Sequence, residues 1–138
     1  MMPDLKAELS KKSRYYVNKH RYYELKHFCL QYPDWKREYQ SLEIRISRSY
    51  EHETVVQNGL ERPVEDLAER RERLLDKIKM VERAATLADE CIGKWLLKAV
   101  TEDIAFTKMK IVHDVPCEKD MWYDRYRKFF WLLDGLRG

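Results

Sequence analysis

Helix breakers are few in this chain, and they are widely spread. The four prolines stand at positions 3, 33, 63 and 116, and only four glycines occur in 138 residues. Proline is well accepted at the first position of a helix, so Pro3, Pro33 and Pro63 each mark a helix start. The stretches between them are rich in Glu, Lys, Arg and Leu, residues that favour helix. The expected fold is all-α. Residues 1–50 would form an N-terminal helical hairpin and 51–62 a linker. Residues 63–138 would form a long amphipathic helix followed by a helix-turn-helix-like three-helix unit.

Periodicity fills in the elements. The first helix is expected over residues 3–31 and the second over 33–50. In the second, Trp35, Tyr39, Leu42 and Ile46 follow one another at four, three and four, which places them on one face. Asn58-Gly59 reads as a turn within the linker. Over 63–88, Leu67, Leu74, Val81 and Ala88 repeat every seven residues. Ile78 and Ala85 add a second line that Arg71 interrupts. Such a helix buries one face against another helix, either its own chain's or that of a second copy in a homodimer.

Asp89 is expected to cap a helix over 90–100 with Ile92, Trp95, Leu96 and Ala99 inward. Thr101-Glu102-Asp103 reads as a break, and a short helix covers 105–112. His113-Asp114-Val115-Pro116 reads as a turn. A last helix over 118–133 has Cys117 at its N-cap, Asp120 three residues on, and an inward stripe of Trp122, Tyr126, Phe129 and Leu133. Gly135 and Gly138 end it.

Several function classes are excluded as expectations. No run of about 18 apolar residues crosses a membrane, and the first residues have no apolar core of a secretory leader. The three cysteines, Cys29, Cys91 and Cys117, are odd in number and far apart. That pattern suits a reducing compartment, the cytoplasm of a bacterial host cell, rather than a disulfide framework. No glycine-rich phosphate loop and no nucleophile elbow is present. His20, Glu24 and His27 share a helical face at metal-ligand spacing, but Glu-x-x-His lacks the second copy that carboxylate-bridged metal bundles use. They read as an ordinary polar face. His113, Asp114 and Cys117 lack a third orienting group for nucleophilic chemistry. The expectation is a non-enzyme with no catalytic residue, no metal and no cofactor.

Charge and aromatic rings are unevenly placed. The net charge is only +3. Residues 1–26 carry a local excess of four positive charges, whereas 61–138 balance at zero. Of 17 aromatic residues, eight lie between Tyr15 and Tyr39 and six between Trp122 and Trp131. The basic, aromatic N-terminal stretch, with Lys12, Arg14, Tyr15, Lys19, Tyr22 and Tyr23, is a candidate partner-binding surface. Its rings suit stacking on single-stranded bases, or, as the favoured reading, a core shared with Trp35 and Tyr39. The plainest reading of the charges is a solvated helix face.

The last 50 residues read helix, short helix, tight turn, longer helix, which is a helix-turn-helix layout. Lys119, Tyr123, Arg125, Arg127 and Lys128 would present basic and aromatic groups to phosphates and base edges. Glu118, Asp120 and Asp124 on the same helix oppose a polyanion.

The run Leu96-Leu97-Lys98-Ala99-Val100-Thr101-Glu102, with Val115-Pro116-Cys117 and Asp120 through Leu133, resembles small uncharacterised prophage proteins of Gram-positive anaerobes. So does the run from Tyr22 to Pro33. This resemblance covers about two thirds of the chain. The C-terminal layout is also similar to RinA/ArpU-type phage transcriptional regulators, which end in a helix-turn-helix like the fourth region of bacterial sigma factors. That likeness implies a phage-derived protein binding duplex DNA through its C-terminal helix-turn-helix and contacting a host protein such as RNA polymerase. The alternative is a phage-encoded protein-binding module: an inhibitor of a host defence nuclease, or a DNA-packaging component.

Overall fold

The computed structural model describes residues 13–51 and 61–138. Lys12 and the expected Asn58-Gly59 turn lie outside the described residues. Six helices follow in order: α1 (Lys19–Leu30), α2 (Tyr32–Glu51), α3 (Glu61–Ala88), α4 (Gly93–Glu102), α5 (Phe106–His113) and α6 (Lys119–Arg137). No strand occurs among the described residues, so the fold is all-α. None of these helices is long and apolar enough to cross a membrane.

The chain forms two compact units. One takes α1 and the residues from Met80 to Gly138; the other spans Tyr32–Lys79. The first two helices fall in different units, with Gln31 the last residue of the first segment.

In the first unit, the described part of the expected first helix starts late; its residues 3–12 lie outside the described residues. Residues 13–18 are not helical, and α1 begins at Lys19. The reason is local. The Asn18 side chain accepts from the His20 backbone N–H at 2.9 Å, an N-cap that satisfies one of the unpaired amides of the first turn. Before the cap, Tyr15 and Val17 alternate inward and are buried. Tyr22, Leu25, Phe28 and Cys29 form the buried face of α1, which packs on α4 and α6.

The end of α3 offers small residues to this core: Ala84, Ala85 and Ala88 beside Val81. Gly93, at the start of α4, uses the space. A Cβ there would stand 2.8 Å from the Ala85 backbone oxygen. Asp89 bridges the two helices by accepting from the amides of Cys91 (2.8 Å) and Ile92 (3.0 Å). Asp89 is therefore not the cap expected of it: it closes a turn, and α4 starts at Gly93 with Ile92 as its N-cap and no side-chain cap. Ile92, Leu96 and Ala99 are buried as expected, and Trp95 is half-buried. α4 ends at Asp103, which takes the left-handed conformation (φ 55°). Asp is among the few residues that tolerate it.

The second unit pairs α2 with the first part of α3. Trp35, Leu42 and Ile46 are buried from α2, and Leu74 and Ile78 from α3. Tyr39 is half-buried. Arg71, which interrupts the apolar line of α3, donates to Glu43 of α2 at 2.9 Å. Arg70 pairs with Glu38, and the Lys77 ammonium lies 5.5 Å from the Trp35 ring centre. The break in the heptad pattern is thus a cross-helix ion pair.

Candidate helix-turn-helix

α5, the turn after it and α6 form the helix-turn-helix expected from the sequence pattern. α5 stops because Asp114 turns left-handed (φ 50°), while its N–H still donates to the Lys110 carbonyl at 3.1 Å. Val115 then points inward and is fully buried, which anchors the turn to the core. The Lys110 ammonium donates to the carbonyls of Val115 (2.9 Å) and Cys117 (3.0 Å). It satisfies two backbone acceptors that the turn would otherwise leave without helix partners.

The N-cap of α6 is Glu118, not Cys117, and no side chain caps it. The thiol of Cys117 is instead packed inward, and burial raises its pKa. A thiol accepts weakly, so the site is better spent on packing than on capping. The expected stripe of Trp122, Tyr126, Phe129 and Leu133 is buried, and Phe130 joins it.

The five expected DNA contacts do not behave alike. Lys119 is exposed at the first turn of α6, with Asp120 and Met121 beside it. Tyr123 is half-buried, its ring 6.1 Å from Phe106 and 6.3 Å from Tyr126. Arg125 is engaged internally: its Nε donates to Asp89 at 2.8 Å, and its guanidinium also pairs with Asp124. Arg127 keeps 21% of its side-chain surface exposed, reaches Asp124 only at 4.0 Å, and has a buried Nε that donates to no acceptor. Lys128 is half-buried.

Arg125 is therefore a tether between α6 and the α3–α4 turn. Burial on its own would raise the Asp89 pKa, but the Ile92 amide, Arg125 and the Cys91 amide bring it below the usual aspartate value.

The N-terminal candidate residues split as well. Arg14 and Lys19 are exposed. Tyr15 is buried with its ring 5.6 Å from Trp131, and its hydroxyl accepts from Arg14 at 2.7 Å. Tyr22 is buried with its ring 5.0 Å from Phe130, and Tyr23 is half-buried against Tyr22. These rings build a core with α6 in the first unit. Tyr15 and Tyr22 of the N-terminal aromatic cluster thus share a core with Phe130 and Trp131 of the C-terminal one. Arg21 fastens the same pairing, with Nε donating to Asp134 at 2.6 Å and NH2 to the Gly138 carbonyl at 3.3 Å.

Sequence reasoning missed Trp131, which is 45% exposed. The available signal was its spacing: it follows Arg127 by four and Lys128 by three, on the face opposite the apolar stripe.

The remaining polar groups offer little chemistry. His20 and His27 are exposed, and Glu24 accepts from Arg21 at 2.7 Å. Among the described residues no three His, Cys, Asp or Glu side chains are grouped to hold a metal ion. A cleft of about 460 Å³ lies between the end of α3 and α4, lined by Glu82, Thr86, Glu90, Cys91, Lys94 and Leu97. No family model, no curated protein and no solved structure matches the chain.

Proposed function

We propose that the protein binds duplex DNA through α5 and α6, with the first turns of α6 entering the major groove. The observation that carries this reading is the turn itself. A left-handed Asp114, an inward Val115 and a stitched backbone lead into a helix whose first turn, Lys119 to Met121, stands clear of the core. A helix presented in this way by a rigid turn is what groove reading requires.

The contact set is narrower than the sequence pattern implies. Lys119 leads, Tyr123 follows it by four on the same helical ridge, and Lys108 on α5 adds an exposed cation. Arg125 is assigned to the fold, because its guanidinium is already held by Asp89 and Asp124. With so few free cations, binding would depend on few phosphates and show a shallow salt slope. The resemblance to prophage regulators agrees with this reading and implies a bacterial host in which the protein acts on transcription.

The test is a titration of a random-sequence duplex of about 20 base pairs at about 50 and 200 mM salt. We expect salt-sensitive binding whose log–log slope falls by about one in Lys119→Ala. Absence of binding at the lower salt overturns the reading.

A second reading, a protein-binding module, is favoured by one observation. Ile111 and Val112 on α5 are 76% and 58% exposed, beside a turn that is otherwise well packed. Exposed apolar side chains in a group mark interaction surfaces. This reading takes precedence if the duplex titration fails.

A further inference from the structure

We propose that the outward face of the C-terminal half of α6 is a docking site for an acidic segment of a protein partner. The segment would set one apolar side chain against the Trp131 indole and place carboxylates on Arg14, Arg127 and Lys128.

Helical spacing gathers the site. Asp124, Arg127, Lys128 and Trp131 follow at intervals of three and four and so share one face of α6. Trp131 is the ring of α6 that stays exposed; Trp122, Tyr126, Phe129 and Phe130 are buried and Tyr123 is half-buried. It is also held in place. The buried ring of Tyr15 supports it at 5.6 Å, so little freedom is lost when a partner covers it. An indole fixed among arginines has the composition of an interface hot spot.

Charge selects the occupant. Arg14 is exposed, and its guanidinium stands over the Tyr15 ring at 4.9 Å, on the element that supports Trp131. Lys128 adds a second cation, and Arg127, with 21% of its side-chain surface exposed, a third. The acids facing this group are already engaged. Asp124 pairs with Arg125, Asp89 with Arg125, and Asp134 with Arg21. The free charge on the face is positive, and guanidinium groups match carboxylates in geometry as well as in sign.

A single-stranded nucleic acid fits less well. Stacking surfaces offer successive bases several exposed rings, whereas this face has one. The face is also distinct from the expected groove contacts, since Trp131 lies 12 residues, or about 18 Å of helix rise, beyond Lys119.

The test uses the full chain and three fluorescent probes in anisotropy titrations. They are a 12-residue Asp/Glu-rich peptide with one central Phe, the same peptide with Lys replacing every acid, and a 12-nucleotide oligothymidylate. The acidic peptide should bind, and Trp131→Ala should weaken it about tenfold. Arg14→Ala should weaken it less but measurably, with a thermal melt to check that losing the bond to the Tyr15 hydroxyl leaves the fold intact. Lys119→Ala should leave it unchanged, while Trp131→Ala leaves duplex binding unchanged.

The proposal is overturned by equal binding of the basic peptide, by tighter binding of the oligothymidylate, or by an acidic-peptide affinity that Trp131→Ala does not alter. It is also overturned if Trp131→Ala and Lys119→Ala each abolish both peptide and duplex binding, since that means one site. Failure of the duplex titration alone removes the DNA reading and leaves the peptide result to stand or fall separately.

Discussion

The phenol oxygens of Tyr22 and Tyr126 lie 3.1 Å apart in the buried core, although 104 residues separate them along the chain. Their hydrogen bond joins α1 to α6. In a double-mutant cycle of Tyr22→Phe and Tyr126→Phe, we expect a coupling of about 1 kcal/mol, because a buried hydrogen bond contributes about that much net. Urea unfolding measures it. A coupling near zero would mean the two hydroxyls act independently.

Asp89 supplies a pH-dependent part of the stability. Its folded pKa is lowered, so its contribution is present above the unfolded aspartate value of about 3.9 and is lost as pH falls through the folded value. Asp89→Asn should cost about 1–3 kcal/mol near neutrality, through the Arg125 pair and the two amides it serves. The gap between wild type and variant should close as the pH is lowered from about 5 toward 2. A gap independent of pH would show that the carboxylate's charge is irrelevant.

Two glycines in helices should respond in opposite ways to alanine. Gly135 has no atom within 4 Å of a built Cβ, so Gly135→Ala should stabilise α6 by up to about 1 kcal/mol. Gly93→Ala instead drives a methyl toward the Ala85 carbonyl at 2.8 Å, a backbone atom that cannot rotate away. It should destabilise the protein despite better helix propensity. Thermal melts of the two variants should shift in opposite directions.

Much of this arrangement was legible in local pattern. The stripe of Trp122, Tyr126, Phe129 and Leu133 and the turn at Asp114-Val115 follow from short-range periodicity and residue chemistry. What was not legible depends on partners distant in sequence. Nothing near Arg125 signals that Asp89 will claim it, so a cation on an apparently outward face read as available. Nothing near Tyr15 signals that Trp131 will cover it. Nothing near Tyr22 signals that Phe130 will lie against it, since a stripe specifies burial without specifying what lies against it. Residues 13–18 were read as helix because Asn18 acts as a cap within a stretch of helical composition.

Thiol reactivity should follow burial. Cys29 and Cys117 are buried, and desolvation raises both pKa values; Cys91 is exposed. Only thiolate reacts quickly. Iodoacetamide at about pH 8 should therefore modify Cys91 alone in the native protein, and all three thiols in denaturant. Mass spectrometry of the labelled protein reads the result, and rapid native labelling of Cys29 would contradict the packing of α1.

The seam between α1 and α6 also constrains the order of events during synthesis. A ribosome adding about 5–20 residues per second delivers Tyr126 roughly 5–20 s after Tyr22. Through that interval Tyr22 lacks the rings of α6 against which it finally packs. The core is closed by the last helix to be made, so a chain that stops before α6 leaves the aromatic face of α1 open to chaperones, proteases and other nascent chains.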